Sequence, residues 1–282
     1  MILLNDAPAL APLLARGALF SPFKRPRSGA AFPRTRLVLP GVRVDLARLA
    51  AYERVCGFPA PGDDALPLTY PHVLGFPLAM SLMSGRDFPL PLLGLVHTTL
   101  AVSRYATLPA TGTYDISVYV DQLASHRRGT QATVVTQMER DGELVWESSS
   151  TYLSRHHRPA APADGDSAAP PLPALRRTLP TRAEWRLGAD LGRRYGAVSG
   201  DRNPIHLHPL TARPFGFRRP IAHGMWTVAR CLAAHGTAEA VRVRAEFRAP
   251  VPLPGVVRYT ADDEGRFELR GGERVHLTGY VN

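Results

Sequence analysis

Asp201 and His206 stand five residues apart in the stretch Tyr195-Gly196-Ala197-Val198-Ser199-Gly200-Asp201-Arg202-Asn203-Pro204-Ile205-His206. A carboxylate and an imidazole are side chains suited to taking and giving protons near neutral pH. Pro204 fixes its own φ and turns Asn203 away from the helical region, so the two groups cannot ride on successive turns of one helix. The loop must curl, and both side chains can then converge on one pocket. Downstream, Pro220-Ile221-Ala222-His223-Gly224-Met225 opens an apolar, helix-like run through His235. Gly224 falls where that helix should begin, and a helix N-terminus offers free N–H groups and a favourable dipole to an oxygen gaining negative charge. Glycine also permits close approach of a substrate to the backbone.

These two elements resemble the MaoC-like hydratases and dehydratases, the group that includes (R)-specific enoyl-CoA hydratase 2. The family pattern is an aromatic residue, three variable residues, Ser-Gly-Asp, any residue, Asn-Pro, an aliphatic residue and His. It is met throughout from Tyr195 to His206, and the second element is met from Phe217 to Met225. The same residues also read as a surface turn, because Asp and Asn before Pro are common turn formers. Two elements in the right order weigh against that reading.

The resemblance implies hydration of trans-2-enoyl thioesters, and the reverse dehydration of (R)-3-hydroxyacyl thioesters, in fatty acyl metabolism. Asp201 and His206 are then the catalytic pair and the Gly224 N–H meets the thioester carbonyl. Ser199 and Gly200 are expected to form the turn before the carboxylate, and Asn203 and Pro204 to shape the loop. Tyr195 is expected to pack on the loop and His223 to close a hydrogen bond at the helix start. Some members carry a serine in the central helix, but here the region reads Arg230-Cys231-Leu232-Ala233, which puts a serine contribution in doubt. No metal and no cofactor is expected, with CoA or an acyl carrier protein carrying the substrate. Asp201 with His206 and His208 offers metal-ligand types, but His-x-His shares one side only on a strand, which Asn203-Pro204 disfavours. The alternatives are a non-catalytic acyl-thioester-binding subunit and a thioesterase.

The 282 residues suffice for one large or two modest domains, and 45% hydrophobic with 21% charged residues fits a globular protein. No apolar run reaches membrane-spanning length. The N-terminus lacks the leading basic cluster of a secretory signal, so a cytoplasmic protein is expected. Two cysteines, Cys56 and Cys231, provide neither a disulfide framework nor a Cys-based metal site. The net charge of +10 raises a nucleic-acid reading. Lys24 is the only lysine, however, and the arginines are scattered, a pattern that codon composition produces as readily as binding; no nucleic-acid partner is expected. The basic stretch Lys24-Arg25-Pro26-Arg27 reads either as a solvated arm or as a contact to carrier phosphates.

Residues 158–180 are a Pro/Ala-rich linker. They separate an N-terminal region, 1–157, from a C-terminal region, 181–282, and the two are weakly similar. Tyr52 to Phe58 parallels Tyr195 to Asp201, with Phe58 in the carboxylate's place, and Tyr70-Pro71-His72 parallels Ile221-Ala222-His223. The first copy is shorter by eight residues, those of the active-site loop. Each helix-like run precedes four strand signals, with hairpin turns at Asp141-Gly142 and Gly271-Gly272, so each region reads as a helix followed by an antiparallel meander, an α+β arrangement. The resemblance names this a double hotdog, two curved antiparallel sheets each wrapped around a central helix, with a degenerate first copy and a catalytic second copy. Such a chain is expected as a monomer or a homodimer. The first copy, including Leu66 to Leu95, is expected to hold the acyl chain.

Overall fold

The computed structural model describes residues 1–27, 29–59, 64–156, 179–236 and 241–282. Most of the linker expected at 158–180 therefore lies outside the described residues. Packing divides the chain into two units. Unit 1 takes in the described residues of Met1–Val42, Leu74–Leu100 and Thr113–Pro171; unit 2 takes in those of Arg43–Val73, Ala101–Gly112 and Leu172–Asn282.

The chain opens with β1 (Ile2–Leu3), α1 (Leu10–Phe20) and β2 (Arg36–Arg43), followed by α2 (Leu46–Cys56) and α3 (Tyr70–Met83). Asp45 starts α2 by accepting hydrogen bonds from the Ala47 and Arg48 N–H groups, and Gly57, at φ 74°, ends it in the left-handed region. Then come β3 (Val96–Arg104), β4 (Thr113–His126), β5 (Gly129–Arg140) and β6 (Glu143–Arg155). The second round is β7 (Thr181–Leu187), α4 (Leu191–Ser199), α5 (Pro209–Ala212), α6 (Gly224–His235), β8 (Val241–Phe247), β9 (Gly255–Ala261), β10 (Arg266–Gly271) and β11 (Arg274–Val281).

Strand order repeats position for position: β2-β4-β5-β6-β3 in the first round, β7-β9-β10-β11-β8 in the second, with β1 added parallel to β2. In both, three consecutive strands form a hairpin-connected meander, while the first strand after the central helix lies beside the last. The simple four-strand meander read from the sequence is corrected in that respect. Hairpin chemistry fixes only the local pairings, and the longer connections β3–β4 and β8–β9 carry no signal of where they lead. The first hairpin turn is as expected, with Asp141 at φ 55° and Gly142 at φ 81°. The second falls one residue later than read, on Gly272-Glu273, since β10 runs through Gly271.

Each central helix meets its sheet at a glycine. In unit 1 a Cβ on Gly75 of α3 would crowd Thr136 of β5, and in unit 2 a Cβ on Gly224 would come 2.9 Å from the Phe247 ring of β8. Along β8 the buried Val241, Val243 and Ala245 alternate with exposed arginines, as expected for one buried sheet face. In unit 1, Lys24 turns inward: its Nζ donates to the carbonyls of Met83 (3.2 Å) and Gly85 (2.8 Å) at the end of α3 and lies 5.4 Å from the Phe88 ring. Burial, with Arg16 nearby, lowers its pKa to about 8. Lys24 is thus a helix cap, while Arg25 and Arg27 of the same stretch are exposed. Among the described residues no helix is long and apolar enough to cross a membrane.

Candidate active site

The site is built on the end of α4. Asp190 precedes this helix and Gly200, at φ 83°, closes it in the left-handed conformation, with its N–H on the Gly196 carbonyl at 3.0 Å. Ser199 ties the exit: its hydroxyl donates to the Tyr195 carbonyl (2.8 Å) and accepts the Asp201 N–H (3.2 Å). Asp201 Oδ1 then accepts the Asn203 N–H (3.1 Å), and Asn203, at φ −56° and ψ 128°, caps a 3-10 turn over Pro204–His206. Asp201 and His206 are therefore placed by a curl of self-capping turns and not by one continuous helix.

Two glycines let that curl fold back on α4. A Cβ on Gly192 would overlap the His206 carbonyl oxygen, and one on Gly196 would lie 2.8 Å from the Asp201 carbonyl oxygen. The two positions are four residues apart and so share a helix face. Sequence reasoning missed both, although their Gly-x-x-x-Gly spacing was a visible signal of close backbone approach.

The loop is joined to the entry of α6 in both directions. The Ile221 N–H donates to the Ile205 carbonyl (3.1 Å), and His206 Nδ1–H donates to the Ile221 carbonyl (2.7 Å). A carbonyl only accepts, so Nδ1 carries the proton and Nε2 is left with its lone pair. His223 Nε2–H donates to the Asp201 carbonyl (2.9 Å) and stands 3.8 Å from Asp201 Oδ2. The rings of His206 and His223 are stacked, centroids 3.7 Å apart at 26°. Helix α6 starts at Gly224 with no side-chain cap from His223, so its first-turn N–H groups have no partner within the helix itself.

Burial decides the charge states. His206 is 7% exposed and His223 2%. Loss of water lowers the pKa of both, against the pull of Asp201, and His223, also disfavoured by His206, is pushed down to about 3. Both imidazoles are thus neutral at ordinary pH. Asp201 keeps 29% of its side chain exposed. Tyr195 is fully buried, its ring 4.8 Å from that of His223, and burial raises its pKa.

The first copy contributes residues to the same unit. Tyr52 of α2 lies 6.0 Å from Tyr195 and 5.1 Å from Tyr70, and its hydroxyl bonds Thr69 Oγ1 at 2.7 Å. Phe58 stacks on Tyr52. His72 is buried, its pKa lowered to about 4 by desolvation against the attraction of Asp201. The parallel between Tyr52 and Tyr195 was legible in the sequence; that they touch was not. Arg230 of α6, where a serine was sought, is committed elsewhere. Its guanidinium donates to the Gly57 carbonyl (3.1 Å) and more distantly to that of Cys56, and it lies over the Trp185 ring at 4.2 Å.

Asp201, His206 and His223 bring three potential metal donors within 4.8 Å of one another. A metal lies in the plane of each imidazole that binds it, and two rings stacked in near-parallel planes cannot both meet that condition for one ion. His208, the third candidate from the sequence, is spent otherwise, its Nδ1 accepting the Leu210 N–H at 3.2 Å.

Residues 173–280 match the model of the MaoC-like domain. Over 245 residues, 84% of each chain, the sequence is 34% identical to 3-hydroxyacyl-thioester dehydratase X of Mycobacterium tuberculosis. The chain belongs to the MaoC-like dehydratase family. The crystal structure of HtdX from the same organism superposes with a TM-score of 0.74 at 32% identity, covering 88% of this chain and 99% of that one. The MaoC-like dehydratase from Phytophthora capsici, 18% identical, shares the fold, with a TM-score of 0.72 over 90% of this chain and 97% of its own. The MaoC-like chain is thus an α+β protein of double-hotdog type, as its sequence implied.

Proposed function

We propose that the protein reversibly hydrates trans-2-enoyl thioesters to (R)-3-hydroxyacyl thioesters, acting as a hydro-lyase in fatty acyl metabolism. The observation that carries the reading is the convergence, within 4.8 Å, of the Asp201 carboxylate and a neutral His206, its Nε2 lone pair intact, with His223, the residue before the uncapped start of α6 at Gly224. In the hydration direction the water oxygen bonds to C3 while one member of the pair takes a proton from it. The C2–C3 electron pair moves toward the thioester oxygen, which the Gly224 N–H receives as negative charge develops. The pair then returns a proton to C2, the enolate collapses, and the enzyme regains its starting protonation. Each positioned proton-transfer group contributes on the order of 10²- to 10⁴-fold.

No cofactor enters this scheme. The names of the similar dehydratases support the substrate class, and the carrier is CoA or an acyl carrier protein. The test offers trans-2-enoyl-CoA substrates from short to long and follows the loss of conjugated absorbance and the stereochemistry of the product. Formation of the (R)-3-hydroxyacyl thioester supports the proposal. Release of free thiol from an acyl-CoA would make the protein a thioesterase, and binding without turnover would make it an acyl-binding subunit.

A further inference from the structure

We infer that His223 is a positioning residue for the acid/base pair, holding His206 by a ring stack and Asp201 by a hydrogen bond to its carbonyl. The inference rests on the reading of Asp201 and His206 as the proton-transfer groups. Two observations made at different atoms carry it. The stack at 3.7 Å and 26° covers one face of the His206 ring, while the Ile221 carbonyl fixes that ring's Nδ1 edge at 2.7 Å. Rotation about the ring bond would break both, so Nε2 has one direction to point. On the other side, the 2.9 Å bond from His223 Nε2 holds the backbone of Asp201 at the exit of the left-handed Gly200 turn, which Ser199 and Asn203 also tie.

The position demands an aromatic face and an N–H donor from one short side chain. Phenylalanine has the face without the donor, and glutamine has the donor without the face. Histidine also remains neutral here. The titratable groups facing it are Asp201 and His206 of the loop and Tyr195 of α4, while His72 of α3 lies within the field of Asp201. Two protonated rings in contact would repel, so a neutral His223 leaves His206 free to gain and lose a proton during turnover. Its Nδ1 is buried without a hydrogen-bond partner, consistent with a ring placed for its face and its Nε2.

His223→Phe and His223→Gln separate the two functions. With a trans-2-enoyl-CoA substrate, each is expected to lower kcat by about ten- to a hundredfold with KM within about threefold, the signature of misplaced groups and not of lost binding. In His223→Gln, water reaches the His206 ring, so the acid limb of the kcat/KM profile moves up toward the ordinary histidine value; in His223→Phe it stays in place. Ring-nitrogen NMR of the unaltered protein gives a readout independent of any variant's folding: His223 should hold its proton on Nε2 and show no titration near pH 6.5. A kcat within threefold of the parent in both variants, or a His223 ring that titrates near 6.5, overturns the positioning role. An unaltered protein that fails to hydrate any enoyl thioester overturns the functional reading instead, whereas a dead His206→Gln beside active His223 variants removes only His223.

Discussion

At the scale of single residues, the proposed chemistry rests on Asp201 and His206. His206 is buried, so its pKa falls below the usual 6.5 even though Asp201 and the Ile221 carbonyl favour the protonated ring. If turnover needs neutral His206, the acid limb of kcat/KM should lie below pH 6.5; a limb at or above that value would show that burial does not govern the base. Asp201→Asn and His206→Gln preserve size while removing proton transfer. Each is expected to reduce turnover by about two or more orders of magnitude with the fold intact by circular dichroism. The double variant should be little worse than the worse single variant, because groups acting as a unit are not additive.

At the scale of elements, the loop is only as well placed as the helix face beneath it. Gly192→Ala would drive a methyl group into the His206 carbonyl, and backbone cannot rotate away as a side-chain tip can. The expected result is a loss of kcat of about a hundredfold with a smaller change in KM. Gly196→Ala, with 2.8 Å to the Asp201 carbonyl, should be milder. Equal, near-parental activity of both would mean that the loop shifts without consequence. Between helices, α6 closes the open C-terminal end of α2, through Arg230 on the Cys56 and Gly57 carbonyls and Trp226 Nε1–H on the Val55 carbonyl at 2.9 Å. Arg230→Met keeps the aliphatic stem but strips the Cys56 and Gly57 carbonyls of their charged donor, at an expected cost of about 1–3 kcal/mol in urea unfolding. In unit 1, Lys24→Ser should likewise lower stability by about 1 kcal/mol through the lost cap on α3. It should leave KM for an acyl-CoA unchanged; a raised KM at low salt would return Lys24 to the carrier phosphates.

At the scale of the whole molecule, the buried histidines set the pH range of stability. His72 and His223 have folded pKa values of about 4 and about 3 against an ordinary 6.5. Protonation therefore favours the unfolded chain. Their contribution is fully present above pH 6.5 and is lost as pH falls from there toward the folded values. For His72 alone the loss approaches on the order of 3 kcal/mol by pH 4. Thermal midpoints should fall steadily between pH 6.5 and 4, and His72→Phe should flatten that slope. An unchanged slope would mean that His72 reaches water in the folded protein.

The sequence by itself determined the family resemblance, the candidate residues and the repeat. Asp201, His206 and Gly224 were legible because turn formers, proline and glycine act over a few residues, and local rules need no tertiary context. Strands β3–β6 and β8–β11 and the helices from Tyr70 and Gly224 were legible for the same reason, through local composition and periodicity, whereas β1, β2 and β7 were not read. Only the tertiary structure decided that Gly192 and Gly196 receive the loop, that His223 lies flat on His206, and that Tyr52 and His72 of the first copy enter the unit that holds Asp201. These are contacts between segments distant in the chain, set by close packing and the exclusion of water. They turn a histidine that reads as a helix-start residue into a neutral ring stacked on His206 and bonded to the Asp201 carbonyl.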